Sequence, residues 1–291
     1  MECQYLTLPK NNKFPELKLR ILYEGVASGS FCSLSKAEII DTGMTVALKN
    51  SRTPLSDDVS AALGDVSYVP RTLYREERAP YVIVEEWVEG VTLFDLAEKD
   101  GVRDPQFLKV GHLLLDTLCD AYYKRGVYHG DLTPSNILWS EESGAKRLHL
   151  IDFDPWYPVN EDGYVSAPDI SGSIPFLPPE YIFGDTTFDG SKAMTYCAGA
   201  VLFFVRYGRP PYCEGFAKSV VRRLMFGPSG ESSADEEKIQ RTDFHNWKKH
   251  LHGCMHNALE LYTREGNKAL GMMLSMDPSL RPDLKDTAAI L

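Results

Sequence analysis

Apolar and polar residues alternate with a period of two over Leu17–Leu22, Ser30–Ile40 and Met44–Asn50, and again over Arg71–Arg75 and Tyr81–Glu86. Successive side chains of a strand point to opposite faces, so these five stretches are expected strands. Asp41-Thr42-Gly43 supplies the turn between the second and third, and Glu76–Pro80 the turn between the last two. Beyond Glu86-Trp87-Val88-Glu89-Gly90 the period lengthens. Leu108, Leu114, Leu115, Leu118, Ala121 and Tyr122 recur at helical spacing, which predicts a long buried helix over Phe107–Lys124. Ala193–Tyr207 is almost continuously apolar and reads as a central buried helix. It is no membrane span, since no apolar run approaches the roughly 20 residues that a bilayer requires. Gly-Pro-Ser-Gly and Ser-Ser-Ala-Asp-Glu-Glu, between Phe226 and Asp243, predict a flexible loop. No internal repeat is evident.

Composition narrows the class. The 291 residues are 43% hydrophobic and 25% charged, as in a soluble globular protein. That length accommodates two lobes around one cleft but no further folded module. A net charge of −10 argues against nucleic-acid or membrane-surface partners and tolerates a basic peptide or cationic substrate. Met1-Glu2-Cys3-Gln4 has no charged n-region followed by an apolar h-region, and the six cysteines lack C-x-x-C spacing. The expected location is therefore a reducing compartment, the cytosol, with the nucleus as an alternative. His245, His250, His252 and His256, with Cys254 among them, carry zinc-ligand chemistry. Beside Lys248-Lys249, however, they read first as a partly exposed helix.

The densest chemistry lies in Tyr128-His129-Gly130-Asp131-Leu132-Thr133-Pro134-Ser135-Asn136-Ile137-Leu138, followed by Leu150-Ile151-Asp152-Phe153-Asp154. The first stretch sets an Asp and an Asn at the spacing H-x-D-x-x-x-x-N. Phosphoryl transfer needs one carboxylate to accept the proton of the attacking hydroxyl, here Asp131. It needs a second carboxylate and an amide oxygen, Asp152 and Asn136, to hold Mg²⁺ against nucleotide phosphates. Oxygen ligands suit that hard cation.

These motifs, with Val46-Ala47-Leu48-Lys49, Gly172–Pro178-Pro179-Glu180 and Asp277-Pro278-Ser279-Leu280-Arg281-Pro282 in the same order, resemble the protein-kinase family over nearly the whole chain. The resemblance implies an α+β, two-lobed fold. A small antiparallel β lobe with one helix would span 1–86, and a larger, mainly α-helical lobe 87–291. It implies ATP and Mg²⁺ as cofactors, with Lys49 on the α- and β-phosphates and Asp131, Lys49 and Asn136 as the catalytic set. Gly25, Ser28 and Gly29 would lie in the loop covering the phosphates. Ala47, Glu85, Glu86, Val88 and Leu138 would line the nucleotide pocket, the Glu86 carbonyl and Val88 amide meeting the adenine edge. Asn136 and Asp152 would hold the metal, with Asp154 as a possible extra oxygen. A buried Arg281–Glu180 bridge is also implied.

The chain departs from that family in several places. Its glycine loop, Tyr23-Glu24-Gly25-Val26-Ala27-Ser28-Gly29-Ser30, has Tyr in the first glycine position. No Glu lies between Lys49 and Arg75. Asp58 falls closest to the place of the usual helix carboxylate, whereas Glu85 occupies the gatekeeper position behind the adenine. A lone carboxylate there is costly to bury, so Glu85 is expected to pair with Lys49 unless a register slip turns it to solvent. Gly130 replaces the Arg that normally receives an activation-loop phosphate, implying activity not switched in that way. Thr133 stands where a Lys is usual. Asp154 replaces the Gly of D-F-G, and Met194 replaces an Asp that steadies the catalytic loop. H-G-D-L-T also resembles the small kinase of the tRNA-modifying KEOPS complex, and H-G-D-L with I-D-x-D resembles aminoglycoside and choline kinases. The leading expectation is a protein Ser/Thr kinase with a protein substrate or adaptor. A small-molecule kinase and a pseudokinase scaffold are the alternatives.

Overall fold

The structure is a computed structural model that describes residues 4–28, 32–98, 101–142, 144–168, 170–213, 216–226, 234–254 and 268–291. Its N-terminal part is a six-stranded antiparallel sheet. The strands are β1 (Tyr5–Leu8), β2 (Leu17–Ser28), β3 (Cys32–Ile39), β4 (Thr45–Ser51), β5 (Thr72–Glu76) and β6 (Tyr81–Glu86), in the order β1-β2-β3-β4-β6-β5. Five of them fall on the expected alternating stretches. β1 was not anticipated, because four residues carry too little periodicity; it pairs Tyr5 with Arg20 and Leu8 with Leu17. Between β4 and β5 lies α1, a single turn over Ser60–Leu63.

The register of the sheet decides what faces the cleft. Val46 pairs with Glu86, Leu48 with Val84 and Lys49 with Ile83. Val46, Leu48, Val82 and Val84 join Leu19, Ala37 and Tyr74 in a small buried core. Side chains alternate between faces, so Ala47, Lys49, Ile83 and Glu85 point the other way.

The chain then crosses through β7 (Val91–Thr92) and α2 (Leu93–Ala97), whose first turn is capped by Thr92 Oγ1 accepting from the Asp95 amide at 3.0 Å. The predicted long helix is α3 (Gln106–Cys119), prolonged by a π-helical turn over Asp120–Lys124. Strand β8 (Val127–His129) leads into the catalytic-loop sequence. β9 (Ile137–Glu142) and β10 (Ala145–Leu150) form a hairpin beside β7. Next come β11 (Trp156–Pro158), paired with β8, then β12 (Tyr164–Ser166), α4 (Pro179–Phe183) and β13 (Thr187–Asp189), which pairs with β12.

The apolar run at Ala193 is the core of α5 (Gly190–Tyr207). It is started by Asp189, which accepts from the Lys192 amide, and ended by Gly208 in the left-handed region at φ +67. Helices α6 (Lys218–Phe226), α7 (Ala234–Cys254), α8 (Lys268–Met273) and α9 (Leu284–Thr287) complete the large lobe. The loop expected over Phe226–Asp243 is corrected in part, since Ala234–Asp243 opens α7. The acidic run therefore belongs to a helix start and not to the expected loop. Residues 227–233 lie outside the described set, as do His256 and the side chain of Cys254. On α7, His250 and His252 meet Phe216 and Phe183 edge-on.

Two apolar cores result, one under the sheet and a much larger one around α3 and α5. The turn α1 belongs to the second. Leu63 is buried in the large-lobe core, with Val59, Val66, Tyr68 and Val69 packed against it. Among the described residues no helix is long and apolar enough to cross a membrane.

Candidate active site

Strand β8 delivers His129 at the head of the catalytic loop, and a 3-10 turn over Pro134–Asn136 carries the chain into β9. His129 is buried and works inside the loop. Its Nδ1 accepts from the Asp131 amide at 3.2 Å, so the proton sits on Nε2, which donates to the Ile151 carbonyl at 3.1 Å. Burial pushes the imidazole down to about 4, which keeps it neutral, and the Ile151 bond only partly offsets this.

The Asp131 carboxylate is held at both oxygens. Oδ1 accepts from the Ser173 amide at 2.7 Å and Oδ2 from Asn136 Nδ2 at 3.2 Å. Burial raises its pKa above the ordinary carboxylate value, opposed by the Ser173 amide and reinforced by Asp152. That direction favours a proton acceptor. Asn136 Nδ2 also donates to the Asp131 carbonyl, so its amide oxygen points away from those contacts as a free acceptor. The Asn136 carbonyl accepts from the Ile151 amide at 3.0 Å, which ties the loop bearing Asn136 to the segment bearing Asp152.

Asp152 has φ +60, a left-handed conformation that a non-glycine residue rarely adopts and that Asp tolerates better than most. Its carboxylate is half-exposed and stands 3.4 Å from Lys49 Nζ. The second acid on Lys49 is Glu85, at 3.0 Å. Register explains this: Glu85 pairs with Ala47 across β4 and β6, so it sits diagonally from Lys49 on the same face, within reach of two long side chains. Burial works against the Lys49 charge, but Glu85 and Asp152 outweigh it and raise the ammonium well above its usual range. Asp58 is elsewhere. Its Oδ1 accepts from the Ser60 amide at 3.0 Å, at the start of α1. Behind Glu85, where α1 is only one turn long, a cavity of about 290 Å³ is lined by Leu63, Val69, Thr72, Glu85, Ile151 and Phe153, among others.

The remaining expected pocket residues fall around this centre. Ala47 lies on the cleft face of β4, and Leu138 on β9 opposite Thr92. Glu86 ends β6 with its amide on the Arg71 carbonyl and its carboxylate on the Arg71 guanidinium, and Val88 follows in the link between lobes. The glycine loop needs correction. Strand β2 continues through an irregular stretch between Tyr23 and Ala27, so its hairpin to β3 lies after Ser28. Gly25, at φ +61, sits in that irregularity, not in the turn. Gly29 and Ser30 lie outside the described residues. The thin glycine pattern concealed a bulge, which a left-handed Gly accommodates.

Asp154 also differs from expectation. Its Oδ1 accepts from the Ser56 amide at 3.1 Å, so one oxygen of the anticipated metal ligand is committed to small-lobe backbone. Two further departures from the family become intelligible together. A side chain at Gly130 would place Cβ 2.7 Å from the Pro155 carbonyl and 2.8 Å from the Tyr157 ring, so no Arg fits there. The same carbonyl accepts from the Gly130 amide at 3.0 Å. With His129 receiving the Asp131 amide, these contacts steady the loop without a carboxylate at position 194, where Met194 is fully buried.

Ser173 was missed as a site residue, although Gly172-Ser173 stood in the quoted motif. Gly172, at φ +103, lets the backbone close on the catalytic loop, where an added Cβ would lie 2.9 Å from the Gly130 carbonyl. Further along, Arg281 and Glu180 form a bidentate pair at 2.8 Å for each bond, with the Arg side chain fully buried. Arg281 also donates to the Ser275, Lys192 and Met276 carbonyls, using all five of its N–H groups.

This is the two-lobed arrangement of a protein kinase, and the sequence comparison agrees. The family model of the protein kinase domain matches residues 23–289, so the chain belongs to the protein kinase family. It is similar to CBL-interacting serine/threonine-protein kinase 20 of Arabidopsis thaliana, at 27% identity over 69% of this chain and 48% of that protein. A probable serine/threonine-protein kinase PknB of Bifidobacterium longum is 30% identical over 50% of this chain and 20% of its own length. CBL-interacting protein kinase 9 of Oryza sativa is 25% identical over 64% and 43%. The chain spans about half or less of the length of these curated relatives.

Proposed function

We propose that this chain is an ATP- and Mg²⁺-dependent protein kinase acting on Ser or Thr hydroxyls. The observation that carries the reading is the Asp131 carboxylate, fixed by Ser173 and Asn136 on one side of a cleft whose other side presents Lys49 beside Asp152. The donor set fits the cofactors. Asp152 and the free amide oxygen of Asn136 are hard oxygen ligands in an open pair, suited to a cation that keeps water and phosphate oxygens. Lys49 is the cation for nucleotide phosphates, held in place by Glu85. Mg²⁺–ATP, when bound, supplies the transferable phosphoryl group.

The protein's own part is positioning and proton transfer. Asp131 accepts the proton of the substrate hydroxyl, and its raised pKa favours that transfer. The Ser173 amide, on the segment leading to Glu180, sets both the carboxylate and the backbone beside which a peptide would lie. That segment, locked by Arg281, favours a protein substrate over a small molecule. An acidic chain suits basic substrates. Cys197, a buried thiol outside any disulfide, suits a reducing compartment, here assigned to cytosol or nucleus.

Turnover by the purified protein tests this. Asp131→Asn is expected to lower kcat by about 10²–10⁴-fold while nucleotide still binds. Asp152→Asn is expected to abolish Mg²⁺-dependent transfer. Equal turnover by wild type and Asp131→Asn overturns the enzyme reading. Tight ATP binding without turnover moves it to a scaffold.

A further inference from the structure

The segment between β4 and β5 is anchored at both of its ends to the other lobe. The Ser56 amide donates to Asp154 Oδ1 at 3.1 Å. Trp156 Nε1 donates to the Asp57 carbonyl at 2.6 Å. At the far end, the Leu150 amide donates to the Tyr68 carbonyl and Tyr68 Oη donates to Asp120, both at 2.8 Å. Leu63 lies in the large-lobe core, and none of residues 59–69 lies in the buried core under the sheet. Two ties run back to the sheet: Arg75 Nη2 donates to the Ser56 carbonyl, and Ser60 Oγ donates to Thr72 Oγ1 at 3.2 Å. Ser56 is thus gripped through its amide by the large lobe and through its carbonyl by the small one.

From this geometry we propose that Asp154 is a positioning residue, a hydrogen-bond acceptor that clamps the Ser56 strap to the segment carrying Asp152. Asp154 lies two residues from Asp152, and Ser56 lies seven residues after Lys49, beyond the end of β4 at Ser51. Fixing Ser56 to Asp154 therefore joins the backbones on either side of the Lys49–Asp152 contact. The strap and α1 are held without a long helix, and the Lys49 carboxylate partner is supplied by strand β6. The third residue of D-F-D serves this clamp instead of the metal. The effect on Asp152 rests on the phosphotransfer reading above; the clamp itself does not.

The test separates an acceptor from a metal ligand. Asn retains an oxygen acceptor but not the charge, and Ala retains neither. Amide hydrogen exchange of Ser56 and α1 in the full chain is expected to rise by about tenfold or more in Asp154→Ala and to stay near wild type in Asp154→Asn. The Mg²⁺ concentration needed for half-maximal ATP binding is expected to stay within about twofold of wild type in Asp154→Asn, whereas Asp152→Asn raises it by about tenfold or more. Unchanged exchange in Asp154→Ala overturns the clamp. A Mg²⁺ requirement raised about tenfold in Asp154→Asn assigns the residue to the metal and overturns it equally. Both readouts survive if the chain proves unable to transfer phosphate, so failure of the kinase reading, seen in turnover, is told apart from failure of the clamp.

Discussion

Two regions of the molecule solve the same problem in opposite ways. Around Arg281 a buried cation meets its carboxylate, Glu180, from a distant element, and every remaining donor finds a carbonyl. Around Lys49 the usual distant element has shrunk to the single turn α1, and the carboxylate comes from the adjacent strand. The first arrangement keeps the family's geometry by long-range packing. The second keeps its electrostatics by short-range register. A charge in a cleft requires a partner of opposite sign at the right distance, not a particular helix. With Glu85 diagonally across from Lys49, that duty does not fall to α1, and Val59, Ala62 and Leu63 pack with the large lobe.

The comparison is broken most forcefully at Arg281. Arg281→Met leaves Glu180 charged and buried and three carbonyls without their donor. Stability is expected to fall by about 3–5 kcal/mol, read from denaturant unfolding. A loss below about 1 kcal/mol would mean that water replaces the guanidinium, and that the two regions are equally soft.

The catalytic loop joins the two regions, and acid tests its rigidity. Above about pH 6.5 neither folded nor unfolded His129 carries the extra proton. Between there and about 4 the unfolded chain takes it up while the buried ring does not. Stability therefore declines as pH falls through that window, by about 3 kcal/mol in total, and levels off below it. Urea unfolding at a series of pH values checks this against His129→Leu, whose profile is expected to be flatter by that amount. Identical slopes would show that the folded ring protonates freely.

How much of this was legible in sequence follows the same division. Long periodic segments announced themselves: the apolar run in α5, the alternation in β4 and β6, and the motifs that deliver Asp131, Asn136 and Asp152. Glu85 was legible because a carboxylate at a cleft-facing strand position requires a cation, and parity with Lys49 follows once β4 and β6 are aligned. Contacts made by backbone were not legible. Nothing in the letters of Gly130 says that the Pro155 carbonyl occupies the space of its side chain, and Asp154 meets an amide 98 residues away. The hairpin after Ser28 was misplaced because a bulge at Gly25 and a turn glycine look alike in sequence. Both need positive φ.

Exchange of the Lys49 partner sharpens the comparison from the other side. Glu85→Gln removes the nearer of two acids and leaves Asp152 at 3.4 Å. A loss of about 1–2 kcal/mol in stability and an increase of about tenfold in KM for ATP are expected. Asp58→Asn is expected to stay within about 0.5 kcal/mol, because Asn accepts the Ser60 amide as well as Asp does at a helix start. Equal effects of the two substitutions would return the orienting role to α1.

The smallest expected effect concerns phosphate. In a region organised by an arginine at position 130, an activation-loop phosphate would supply the missing order. Here that position has no room for a side chain, and order comes from elsewhere. Strand β11 pairs with β8, Val159 bridges Val165, and β12 pairs with β13, with Ser166 Oγ and Thr187 Oγ1 3.2 Å apart. The Ser171 amide donates to Tyr181 Oη at 3.1 Å, and the Ser173 amide to Asp131. A segment held at these points gains little from an added charge. Phosphatase treatment, verified by mass spectrometry, is therefore expected to change turnover by less than about twofold, under 0.5 kcal/mol in the barrier. A fall of about tenfold or more would show that a cation other than a residue at 130 receives a phosphate, and that this segment is held as conditionally as the Lys49 region is held permanently.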